Sequence, residues 1–210
     1  NENPYGPSKK ALQAIIKSSY ESAYYPDHLV NRLKDMIAEK HELTQNHITI
    51  SAGSTQALTV LSQIQSRKNP IISSELTWDI PLLIARSSGG KIIRVENGHD
   101  LEINLQKMQN LHDENISMVH ICNPNNPTGT IIDPEKLSNA LRIMSKTVLV
   151  LVDEAYNEVT DNPEANTMVK LIKEGHNIAI SRTFSKIYGM AGQRVGYIIA
   201  DPEIIRTINR

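Results

Sequence analysis

The chain has 210 residues, 40% hydrophobic and 21% charged, with a formal net charge of −1, enough for a sizeable core in an ordinary globular composition. A near-neutral balance without basic clusters gives no electrostatic case for nucleic acid or an anionic membrane, and no apolar stretch approaches the roughly 20 residues that span a bilayer. The single cysteine, Cys122, excludes an intrachain disulfide framework and fits a reducing, cytoplasmic setting.

The chain opens on a proline-punctuated arm, Asn1-Glu2-Asn3-Pro4-Tyr5-Gly6-Pro7. Residues 8–22 then carry Ala11, Leu12, Ile15 and Ile16 at helical spacing, with Pro7 and Ser8 as start signals. In Tyr24-Tyr25-Pro26-Asp27 the proline biases Tyr25 to extended backbone. Asp27 is expected to cap a helix to about residue 41, with Leu29, Leu33, Met36 and Ile37 as its apolar face.

Ile48-Thr49-Ile50-Ser51 reads as a short strand, and Ala52-Gly53-Ser54-Thr55 turns into a helix marked by Leu58, Leu61 and Ile64. A glycine turn feeding a helix N-terminus can cradle phosphate, because the first amides are unpaired and the dipole favours an anion. The same residues also serve as plain caps. Residues 70–73 form another strand, Leu76-Thr77-Trp78-Asp79 leads into a helix that stops near Gly89-Gly90, and residues 91–96 form a third strand. A polar connection with a short helix around 105–111 follows.

Ser117–Cys122 is apolar enough for a buried parallel strand, with His120 read as a core histidine and Cys122 as a buried small hydrophobe. The strand delivers Asn123-Pro124-Asn125-Asn126-Pro127-Thr128-Gly129 at its C-terminal end, where open α/β sheets place ligands. Asp133-Pro134-Glu135 starts a helix with a cap, a proline and an early acid. Thr147–Val152 is the most continuous apolar run and ends in Asp153, a carboxylate that needs a partner at such an edge. After a turn-rich stretch at 160–166 and a helix near 166–174, the strand Ile178–Ser181 leads to Lys186, and Val195–Ala200 is the last strand.

Lys186 is the candidate nucleophile. Thr183 and Ser185 set hydroxyls beside it, Arg194 adds a planar cationic fork, and the glycines between them allow close approach. Most lysines are surface groups, and that plain reading stands beside the functional one. Pyridoxal phosphate requires this pairing, since its aldehyde reacts with a lysine amine while its phosphate is held by hydroxyls, amides and an arginine.

Strands alternate with helices, so the expected fold is α/β, a doubly wound, mostly parallel sheet with helices on both faces. Ser185-Lys186 with Arg194, the segment Asn123–Gly129, and Asp153-Glu154-Ala155-Tyr156 occur in the order and rough spacing of one family. The chain resembles the fold-type I pyridoxal-phosphate aminotransferases, most closely the histidinol-phosphate aminotransferase group, whose members often open with a segment similar to Asn1–Ser8.

The resemblance implies an arm and first helix over residues 1–25 and an incomplete cofactor-binding large domain over 26–210. On that reading the chain is a fragment, and a small C-terminal domain with the arginine for the substrate carboxylate is missing. Gly53, Ser54, Thr55, Thr183, Ser185 and Arg194 would hold the phosphate, and Trp78 would stack on the ring, with a core role as its alternative. Asn126 and Tyr156 would bond the phenolic oxygen, and Asp153 the protonated ring nitrogen, with loop capping as the other reading. Asn3 and Tyr5 become possible substrate neighbours, or parts of a packing arm. Tyr25 would cross a homodimer interface to the partner's cofactor phosphate, or serve as an interface or core aromatic. The implied function is transfer of an amino group from an amine such as histidinol phosphate to a 2-oxo acid such as 2-oxoglutarate, with no metal. Decarboxylation of a phosphorylated amino acid, or a non-catalytic sensor domain of a transcription regulator, are the rivals.

Overall fold

A computed structural model describes residues 1–113 and 115–209. Seven strands form one sheet: β1 (Ile48–Ala52), β2 (Ile71–Ser74), β3 (Ile92–Val95), β4 (Met118–Cys122), β5 (Leu149–Asp153), β6 (Ile178–Thr183) and β7 (Val195–Ala200), in the order β1-β7-β6-β5-β4-β2-β3. Strands β2 to β6 pair in parallel; β7 runs antiparallel to both β6 and β1.

Strand parity divides the core in two. Val150, Val152, Ile178 and Ile180 join one cluster, whereas Leu149, Leu151 and Ala179 join the other, as period-2 side-chain alternation requires of a sheet covered on both faces. The first cluster is closed by α2 (Asp27–Lys40), α5 (Leu105–Leu111), α6 (Pro134–Met144) and α8 (Val169–Lys173). The second is closed by α3 (Gly53–Ser66), α4 (Ile80–Ser87) and α9 (Pro202–Ile208). Helices on both faces make this the doubly wound α/β sheet that the alternating pattern implies.

Parity also decides which polar residues meet. Ser73, His120, Cys122, Asp153, Ser181 and Thr183 fall on the α3 and α4 face; Glu154 and Arg182 fall on the other. His120 is buried and shares a 3.0 Å hydrogen bond with the Ser73 hydroxyl. Burial, aided by Arg94, lowers its pKa to about 4, so it is a neutral core histidine.

Three local expectations are corrected. Asp27 is the first helical residue and makes no cap; Pro26 occupies the cap position, and Asp27 serves as a first-turn acid. Helix α2 turns Ile37 and Ala38 inward and leaves Leu29 and Met36 exposed, because its inner face leans on β1. The helix expected near 166–174 begins only at Val169, as α8, and a separate one-turn helix, α7 (Pro163–Asn166), lies in the stretch expected to be turns, with a break at Thr167 and Met168 between them. The break is caused by Glu154, whose carboxylate accepts from the Met168 amide at 2.7 Å and the Thr167 hydroxyl at 2.9 Å. Helix α1 (Lys9–Ser18) buries none of its residues, and Leu12 and Ile16 stay exposed.

Candidate active site

The C-terminal ends of β4, β5 and β6 and the N-terminus of α3 surround a cavity of about 480 Å³. Cys122, Asp153 and Ser181 stand in one cross-strand row beneath it. Ser54, Thr55, Trp78, Asn126, Asp153, Tyr156, Thr183, Ser185, Lys186 and Arg194 all line it.

One end is built for an anion. At the start of α3 the Ala52 amide is taken by the Gln56 side chain and the Gly53 amide by a backbone carbonyl, whereas the Ala52 cap gives no side-chain bond to the next amides, those of Ser54 and Thr55, which line the cavity. The Thr183 hydroxyl donates to Ser185 Oγ at 2.9 Å, and the Arg194 guanidinium approaches Ser185 Oγ at 3.4 Å. Arg194 is held in place by its own backbone, left-handed at φ 53°, whose carbonyl accepts from the Gly53 amide at 2.9 Å. Gly53 is needed here twice: its φ is +70°, and a Cβ would overlap the Arg194 guanidinium. Gly196 on β7 plays a related part, since a Cβ there would run into the backbone of Gly53 and Ser54 and lift α3 off the sheet.

The other end is built for a cation. Asp153 is 3% exposed and accepts from the Ser181 hydroxyl and the Ala155 amide. Burial pushes its carboxyl above the usual carboxylate range, because these two bonds and a weak attraction to Lys186 offset only part of the lost hydration. Cys122 lies alongside, and burial with the Asp153 charge raises its thiol pKa, which leaves it an inert floor.

Lys186 stands at the mouth. Its Nζ lies 5.2 Å from the Tyr156 ring centroid and donates to the Asn1 carbonyl at 3.0 Å. Asn126 Nδ2 lies 3.5 Å from Tyr156 Oη, so two loops converge on one point. Trp78 packs on the α3 and α4 cluster while facing the cavity, serving core and lining together.

Three predicted residues lie elsewhere. Tyr25 is 90% exposed and outside the cavity. Tyr5 is 94% exposed, and Asn3 donates its side-chain amide to the Ile187 carbonyl at 2.9 Å. Both Asn3 and Tyr5 border only a shallower apolar depression beside Lys186.

Two groups escaped sequence reasoning. Buried Asn125 donates to the Leu76 carbonyl and Thr128 hydroxyl, both at 2.8 Å, and accepts from the Thr77 hydroxyl at 2.9 Å, tying the Trp78 segment to the Asn126 loop. Nothing in the run Asn125-Asn126 tells which amide turns inward. On the opposite face, buried Arg182 pairs with Glu154 at 2.7 Å and with Glu158, and donates to Thr167 Oγ1 at 2.9 Å. The signal available was parity: Glu154 and Arg182 each follow a residue directed at the cavity.

The sequence profile of the family described as "Aminotransferase class I and II" matches residues 1–210. The chain belongs to the class I and II aminotransferases. This aminotransferase chain is 37% identical over 226 residues to the histidinol-phosphate aminotransferase of Listeria monocytogenes, covering all of this chain and 58% of that protein. It is also 37% identical over 212 residues to the enzyme of that name from Moorella thermoacetica, of which it covers 55%. The aminotransferase chain therefore spans somewhat over half the length of the curated relatives it matches. Its fold superposes with a TM-score of 0.90 on the histidinol-phosphate aminotransferase of Sinorhizobium meliloti in complex with pyridoxal 5'-phosphate, at 25% identity, covering 100% of this chain and 57% of that one.

Proposed function

We propose that the protein is a pyridoxal-phosphate-dependent aminotransferase whose amino donor is histidinol phosphate and whose acceptor is a 2-oxo acid such as 2-oxoglutarate. The observation that carries the reading is one cavity with an anion-binding end at Ser54, Thr55, Thr183, Ser185 and Arg194, a buried carboxylate at Asp153, and an amine at Lys186. The fit to the cofactor rests on its opposite ends: free helix amides with an arginine suit a phosphate, and an under-solvated carboxylate suits a ring cation.

When bound, pyridoxal phosphate supplies an aldehyde that exchanges amines and a ring that withdraws electrons from the substrate carbon. Around it, Ser54, Thr55, Thr183, Ser185, Arg194 and the turn at Gly53 hold the phosphate. Trp78 covers one ring face, and Asn126 and Tyr156 donate to the phenolic oxygen. Asp153 keeps the ring nitrogen protonated, held in line by Ser181. Lys186 Nζ would serve as the base and acid that moves a proton to and from the substrate carbon bearing the amino group.

The same reading makes the protein a homodimer, with the exposed Tyr25 reaching the partner's phosphate site and the bare face of α1 covered by the second copy. Residues 1–25 then act as an arm and 26–210 as the cofactor-binding large domain. Among the described residues no helix is long and apolar enough to cross a membrane; cytoplasmic residence is part of the proposal.

The test is an absorbance spectrum with pyridoxal phosphate before and after histidinol phosphate is added. A band near the visible edge that moves with the amine supports the reading, and Lys186→Ala should remove both band and turnover. A band that answers other amines but not histidinol phosphate would sink the substrate, and substantial transamination by Lys186→Ala would sink the role of the lysine.

A further inference from the structure

The turn that presents Lys186 is not held by the sheet alone. It runs from Ser185 to Gly189 and closes on its own backbone, with the Gly189 amide bonded to the Lys186 carbonyl at 3.0 Å and the Met190 amide to the Phe184 carbonyl at 3.2 Å. Its outer side, Ile187 and Tyr188, is exposed. A lysine on such a turn has little to fix its approach, and small displacements of a reacting group are costly.

The N-terminal arm supplies the missing restraint. Asn3 Nδ2 donates to the Ile187 carbonyl at 2.9 Å, across 184 residues of sequence. Its Oδ1 meanwhile accepts from the Tyr5 amide at 3.0 Å, and its carbonyl accepts from the Gly6 amide at 3.2 Å, so the side chain is fixed by the arm before it reaches the turn. Three residues on, Gly6 seats its peptide against Gly189 so closely that a Cβ on Gly189 would overlap the Gly6 carbonyl group. Both glycines have positive φ, +67° and +66°. Beyond the strap, Asn1 touches the site itself: its side chain donates to Tyr156 Oη at 3.0 Å and its carbonyl accepts from Lys186 Nζ.

We propose that Asn3 is a positioning residue for Lys186, its side-chain amide strapping the 185–189 turn through the Ile187 carbonyl while the Gly6–Gly189 contact sets the depth. The proposal rests on the functional reading of Lys186 given above. It also gives Asn3 a partner in the enzyme and not in the substrate.

Two substitutions in the full-length protein separate the strap from local turn-building. Asn3→Asp keeps the oxygen that accepts from Tyr5 but has no hydrogen to give Ile187; Asn3→Ala loses both. The strap predicts that both variants slow turnover about tenfold while half-saturation by pyridoxal phosphate moves less than about threefold, because the phosphate site is untouched. Both should shift the pH midpoint of the visible band, and both should speed amide hydrogen exchange in 184–190 by about tenfold with 149–153 unchanged. Asn3→Asp behaving as wild type while Asn3→Ala is impaired would assign the side chain to the turn and overturn the proposal, as would unchanged exchange in both. Exchange is read without cofactor, so a wild-type protein that binds no pyridoxal phosphate, yet loosens at 184–190 in both variants, would overturn the cofactor reading and leave the strap standing.

Discussion

Ser181 donates its hydroxyl hydrogen to the carboxylate of Asp153, its direct partner in the β5–β6 register. The bond holds a charge that its surroundings disfavour. Since burial raises the Asp153 pKa above 3.8, the folded state holds this proton more tightly than the unfolded chain does. Its contribution to stability is therefore present at low pH and is lost as pH rises from about 3.8 through the raised folded value. Asp153→Asn should stabilise the cofactor-free protein at pH 7 by about 1 kcal/mol while lowering turnover by at least about a hundredfold. Urea melts and steady-state kinetics on one preparation check both signs, and a destabilised variant would contradict the argument.

Burial raises the carboxyl next to it as well, but that one has a cationic partner. Glu154 is saturated by Arg182, Thr167 and the Met168 amide, so removing Arg182 strands a buried charge. Arg182→Ala should cost about 3–5 kcal/mol. The expected sign is an earlier urea midpoint with an unchanged slope.

Two glycines at the phosphate end should rank in an order that φ alone would reverse. Gly53→Ala meets the movable end of Arg194 and a left-handed strain of about 1–2 kcal/mol. Gly196→Ala meets backbone of Gly53 and Ser54, which cannot step aside. Gly196→Ala should lower the melting temperature more, whereas Gly53→Ala should chiefly weaken pyridoxal phosphate binding, by about tenfold or more, through displaced Arg194. Thermal melts and cofactor titrations of the pair decide it.

Acid should loosen the α3 and α4 face through His120. His120 has a pKa near 4 in the fold against 6.5 when unfolded, so the unfolded chain takes the proton first as pH falls. Stability present above pH 6.5 is lost between about 6.5 and 4, by up to about 3 kcal/mol for a fully buried ring. His120→Asn should flatten the fall of the urea midpoint over that window; an unaltered slope would show that His120 is not its source.

Much of this was decided by the sequence alone. The alternation of strands and helices, the cap at Asp133, and the runs that end in Asp153 and lead to Lys186 are local patterns, set by side-chain period and backbone preference within a few residues. Strand parity was legible too, and it alone sends Asp153 and Ser181 to one face and Glu154 and Arg182 to the other. Tertiary structure decided what depends on partners far along the chain. Asn3 meets Ile187, Asn125 meets Leu76, and Glu154 breaks a helix by capturing Met168, because each buried or anchored polar group must find a partner wherever the fold brings one. Likewise the exposure of Tyr25 and of the apolar face of α1 follows from packing and not from hydropathy: a helix buries its apolar stripe only where another surface lies against it.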